Sequence, residues 1–138
     1  MPDGCYTVQA LILDDVPFSV TEAIEHFRSL GTRSEPEQTP NGLVGFRVFY
    51  GEWSIVAWLD DAPHVPGEIR ELYVDTSPPF PPEILNRCSR RLSIWSDEDY
   101  EFEHTNEWII MIEELQEAFG LLIRDDVVGE WWDPPASR

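Results

Sequence analysis

With 138 residues the chain has the length of one domain, and its 42% hydrophobic content with six Trp and seven Phe is enough for a core, which excludes disorder. Its 27 Asp and Glu outnumber nine basic residues, all Arg, for a formal net charge of −18 and a pI near 4.2. A field of that sign repels nucleic acid, ATP and anionic membranes and draws in basic protein, so direct nucleic-acid binding and membrane association are not expected.

Residues 5–13 (CYTVQALIL) alternate and then run apolar, which predicts a strand closed by Asp14-Asp15-Val16-Pro17. Ser19 followed by Glu22 is a capping-box signature for a helix to about Leu30. Val20, Ala23, Ile24, Phe27 and Leu30 share its apolar face, and Gly31 supplies the stop. Residues 32–42, polar with two prolines, read as a loop. The clearest hairpin spans Leu43–Leu59, with Gly51-Glu52 as a type II′ turn. That register pairs Tyr50 with Trp53, Val48 with Ile55, Phe46 with Ala57 and Val44 with Leu59, all eight on one core face.

Glu71-Leu72-Tyr73-Val74 reads as a short strand that the surrounding prolines confine to a sheet edge. Pro82 opens a short helix through about Cys88, with Ile84, Leu85 and Cys88 inward. Arg90–Trp95 alternates as a strand, and an acidic loop follows. Thr105 or Asn106 then caps a long helix ending near Gly120, with Trp108, Ile109, Met111, Ile112, Leu115, Ala118 and Phe119 as its core stripe. Leu121-Leu122-Ile123 begins a final strand, and residues 125–129 turn the chain into Glu130–Asp133. One of Trp131 and Trp132 is expected to close the core; the other faces out unless Pro134-Pro135 folds over it. The predicted fold is a single α+β domain over residues 1–138, a largely antiparallel sheet with helices packed on one face.

Motifs for chemistry are absent: no GxSxG, no GxGxxG and no Walker pattern occurs. His26 reads as a surface pair with Glu22, His64 as a loop residue after Asp60-Asp61, and His104 as a polar neighbour of a helix start. No spacing suggests zinc ligands, and the acidic run 97–103 lacks the Gly and terminal Glu of an EF-hand, so no metal or cofactor is expected. No catalytic residue is assigned, although carboxylates are abundant enough that residue type alone leaves a small carboxylate-based enzyme as an alternative. Cys5 and Cys88 form no CxxC pattern and read as reduced thiols. The N-terminal Met-Pro-Asp-Gly lacks signal-peptide segments, and no apolar run approaches the roughly 18–20 residues that span a bilayer, so a soluble cytoplasmic protein is expected.

What stands out is a partner surface. Between Leu92 and Ile123 nine carboxylates occur without one Lys or Arg. Like charges three or four residues apart disfavour a helix by about a few tenths of a kcal/mol per pair, a repulsion that a basic partner would remove. Ile110 sits among the helix acids, and Tyr100 and Phe102 interrupt the acidic loop. Apolar anchors ringed by charge are the pattern of an electrostatically steered interface. The expected contact set is Asp97, Glu98, Asp99, Glu101, Glu103, Glu107, Ile110, Glu113, Glu114 and Glu117.

Residues 85–133 carry, in order, Arg90-Arg91-Leu92-Ser93-Ile94, an Asp-rich loop, Asn106-Glu107-Trp108 with Glu113-Glu114-Leu115, Gly120, and Asp126-Val127-Val128-Gly129-Glu130-Trp131-Trp132. This order of landmarks resembles a group of small bacterial proteins encoded beside polymorphic or secreted toxins. The resemblance implies an immunity protein, a cytoplasmic inhibitor that occludes the active site of its cognate toxin, with no binding residue carried over. The alternative reading is a nucleic-acid mimic that blocks a DNA- or RNA-binding enzyme, with acids in two phosphate-like rows.

Overall fold

The computed structural model describes residues 4–75, 79–125 and 127–133. Seven strands form one sheet: β1 (Thr7–Leu13), β2 (Ser34–Gln38), β3 (Val44–Tyr50), β4 (Trp53–Asp60), β5 (Cys88–Ser96), β6 (Leu122–Asp125) and β7 (Glu130–Trp131). Their spatial order is β2-β3-β4-β5-β1-β6-β7, and every neighbouring pair is antiparallel. Three helices, α1 (Val20–Ser29), α2 (Val65–Asp75) and α3 (Thr105–Phe119), and a 3-10 helix at Pro82–Arg87 complete the described residues, a single α+β domain with helices packed against the sheet.

Alternation along the strands divides the core in two. Val8, Ala10 and Ile12 of β1, with Phe46, Val48, Ile55, Ala57, Leu92 and Ile94, form the face covered by α1 and α3. Ala23, Ile24 and Phe27 of α1 and Trp108, Met111, Ile112 and Leu115 of α3 are buried against it. Leu11, which points the other way, packs with Val65 and Ile69 of α2, Leu85 and Cys88. The helices α1 and α3 thus share one face as expected, but α2 and the short helix at Pro82–Arg87 lie against the other, so helices cover both faces and not one.

The first helix begins where the capping box places it: the Ser19 hydroxyl accepts a hydrogen bond from the Glu22 amide at 3.1 Å. The hairpin register also holds, with Tyr50 opposite Trp53, Val48 opposite Ile55 and Phe46 opposite Ala57. Gly51 adopts φ 67°, as its turn requires. The shared core face ends sooner than expected, because Val44 lies opposite Gln38 of the edge strand and is 43% exposed.

Four further expectations change. Residues 34–38 are the edge strand β2 and not loop. Phe49 donates its amide to the Arg33 carbonyl at 2.9 Å, so in this register the amides of residues 35 and 37 also face β3, and Pro36 falls where an amide would point to solvent. A proline there removes no ladder bond and blunts the edge. Residues 71–74 belong to helix α2 and not to a strand. Pro66 stands in its first turn, where the missing amide is not needed, and Val65 and Ile69, four apart, share its buried side. On α3, Ile109 (37% exposed) and Ala118 leave the core stripe, which centres on Met111, Ile112 and Leu115. The helix also starts at Thr105 with His104, not Thr105 or Asn106, in the cap position.

Trp131 and Trp132 divide between the two cores. Trp131 packs edge-on against Phe80 at 5.1 Å on the α2 side, and Trp132 packs against the main core. Pro134-Pro135 lies outside the described residues. Cys5 and Cys88 are both free thiols. Cys88 is paired with Leu13 at the far end of β1 from Cys5, about 25 Å away at strand rise, well beyond disulfide reach. Among the described residues no helix is long and apolar enough to cross a membrane.

Candidate functional site

The region between β5 and the end of α3 is built around Asp99. This side chain is only 6% exposed, and its carboxylate accepts the Tyr6 hydroxyl at 2.7 Å and the amides of Glu103 and His104 at 2.9 and 3.0 Å. Thr105 Oγ1 lies 2.8 Å from the same Tyr6 hydroxyl. Burial alone would raise the Asp99 pKa; the Tyr6 hydroxyl and the two amides outweigh it and hold the carboxyl below its ordinary range. On the other side of the loop, the Trp53 indole donates to the carbonyls of Asp97 and Glu98 at 3.2 and 3.1 Å and stacks on the His104 ring at 4.6 Å. A loop tied at both ends in this way starts α3 in a defined position.

Helix geometry then sorts the acids of α3. Ile110 (53% exposed), Glu113 and Glu117 lie on its outermost stripe, with exposed Ile109 beside them. Glu107 and Glu114 lie on the flank, their side chains 34% and 31% exposed. The Glu114 carboxylate is 3.0 Å from His26 Nε2 of α1, and the Glu107 carboxylate is 3.5 Å from His104 Nδ1. Tyr50, at the end of β3, has its pKa pushed up to about 12 by burial and then by the charges of Glu107 and Glu114.

The ten residues expected to form one contact set therefore divide. Ile110, Glu113 and Glu117 share the outer face of α3, and Glu98, Glu101 and Glu103 are exposed on the loop before it. Glu107 and Glu114 border that face but also hold histidines. Asp97 is committed to the sheet: it accepts the Ser54 amide and hydroxyl, each at 2.9 Å, and lies 3.9 Å from the Arg47 guanidinium. Asp99 is internal, so its role is to shape the loop. His26 pairs with Glu114 of α3 and not with Glu22, a contact across 88 positions that spacing within one helix cannot reveal. Residues missed from sequence include Tyr6, which organises the loop, and Ile109, whose exposure a strict helical count of the stripe would have shown.

The chemistry elsewhere is quiet. Burial pushes the Cys88 thiol up to about 12, and burial followed by Glu98 and Asp97 raises Cys5, so both thiolates are disfavoured. His64 lies 3.9 Å from Asp60 and 3.6 Å from Glu68. Among the described residues no group of three or more His, Cys, Asp or Glu could hold a metal ion. A cavity of about 160 Å³, lined by Tyr6, Trp108, Asp125 and Val127 among others, opens beside the start of α3. No family model matches this chain, no curated protein matches its sequence and no solved structure matches its fold.

Proposed function

We propose that this domain is a cytoplasmic inhibitor that neutralises a basic protein, a cognate toxin, by covering its active site with the acidic side of α3 and the loop before it. The carrying observation is the outer stripe of α3, where Ile110 is 53% exposed between carboxylates in a stretch of chain that lacks Lys and Arg. Apolar side chains set among like charges give a partner both steering and an anchor. The landmarks of residues 85–133 that resemble toxin-immunity proteins support the same reading.

The test is capture from a native lysate at low and at high salt, followed by assay of the captured protein with and without this chain. The expected result is one basic protein, released by salt and inhibited by the domain. The double variant Ile110→Asp with Glu113→Arg is expected to lose capture by at least about tenfold while keeping its fold, since both side chains are exposed. Full inhibition by the double variant would remove the helix face from the interface. Inhibition of several unrelated nucleases would point to nucleic-acid mimicry instead.

A further inference from the structure

Phe102 is the most exposed large apolar side chain among the described residues, at 74%, and the one non-glycine residue among them with positive φ, at 57°. Left-handed backbone brings a β-carbon against the neighbouring carbonyl, so Gly or Asn is the ordinary occupant. A bulky aromatic in this conformation strains the backbone, and a ring left largely in water gains little burial to offset it. The fold has a use for the turn at residue 102 and none for the ring.

The turn itself is firmly held. The Phe102 amide donates to the Asp99 carbonyl at 3.1 Å, and the next two amides are taken by the Asp99 carboxylate. The loop therefore fixes the main chain at residue 102 and the direction in which its side chain leaves it, which lowers the ordering cost of an association. Glu101 and Glu103, both exposed, adjoin Phe102 in the chain, Glu98 is exposed in the same loop, and Tyr100, 62% exposed, is two residues away. A desolvated aromatic inside a charged rim is the composition of an interface hot spot.

We infer that Phe102 is the anchor of the interface, inserting into an apolar pocket that Lys or Arg side chains rim on a partner protein. This rests on the reading above and refines it: the centre of the contact moves from the middle of α3 to the loop before it. Charge complementarity selects the occupant, because Glu101 and Glu103 adjoin residue 102 in the chain, both are exposed, and a basic rim meets them.

The decisive experiment places the photo-crosslinking analogue p-benzoylphenylalanine in the full chain at position 102, at 110 or at 44, and illuminates each protein in native lysate at low salt. Position 44 is exposed and lies near the far end of the hairpin. Support is a crosslink from 102, but not from 44, to a basic protein at an apolar segment flanked by Lys or Arg. A crosslink from 110 alone overturns this inference and leaves the inhibitor reading standing. Silence at both 102 and 110 overturns both. In parallel, Phe102→Gly is expected to unfold at the same or a higher urea concentration than wild type while losing capture at least about tenfold. A lowered unfolding midpoint would assign the ring to the fold and end the proposal.

Discussion

Burying a carboxylate is unfavourable unless hydrogen bonds replace its water, and Asp99 has three of them, from the Tyr6 hydroxyl and two backbone amides. Its pKa is lower in the folded chain than in the unfolded one. The sign of the linkage follows: the stabilisation is complete above the unfolded carboxylate range, near about 4, and disappears as pH falls through the lower folded value. Asp99→Asn is therefore expected to destabilise the domain by about 1–3 kcal/mol at neutral pH in urea unfolding. The gap to wild type should narrow in acid, and equal stability at neutral pH would mean that the network contributes nothing. Nothing in the acidic run 97–103 marks Asp99 as different from its neighbours; its identity as an internal residue comes from Tyr6, far away in the chain.

At the scale of elements, the hairpin shows how close strand packing becomes where a side chain crosses it. A β-carbon on Gly45 would collide with the Ala57 carbonyl oxygen and lie 2.9 Å from the Trp58 ring. The backbone atom cannot give way without breaking the ladder, so Gly45→Ala is expected to lower stability by about 1–3 kcal/mol, as other overpacked sites do, measured by thermal unfolding. The capping box of α1, the hairpin register and the stripe of α3 were legible because each depends on local periodicity or turn chemistry. Edge strand β2 and helix α2 were not, because proline in a polar stretch signals a break in either kind of element. Pro36 is tolerated by an amide direction and Pro66 by a helix start, and both are set by the neighbours a segment acquires.

Across the whole molecule, three of the Arg residues on or beside the sheet are met by acids away from α3. Arg47 is bonded to Glu37 and Arg91 to Glu68, each at 2.7 Å, while Arg33 is 3.0 Å from Glu35, its guanidinium 4.0 Å above the Phe49 ring. The acids of the α3 side are met at Glu107 and Glu114 by histidines and on Glu113 by no ion pair among the described residues. Self-repulsion at a net charge of −18 should then weaken the free protein most at low ionic strength. From about 0.01 M to about 0.1 M salt the screening length falls from roughly 30 Å to roughly 10 Å, so Tm is expected to rise over that range, by about 3–5 °C for each kcal/mol relieved. A Tm that is flat or falls with salt would mean that the charges are already balanced in the fold.

Composition and periodicity by themselves determined that this chain folds, that it is α+β with a mainly antiparallel sheet, and that its acids concentrate between Leu92 and Ile123. These are properties of residue type and short-range spacing, which act before any distant contact forms. Only the tertiary structure decided which acids are internal, which are tied to Arg or His, and which remain on an open face. Burial and ion pairing depend on what lies across the fold, and the partners of Asp97, Asp99 and Glu114 stand 43, 93 and 88 positions away in sequence.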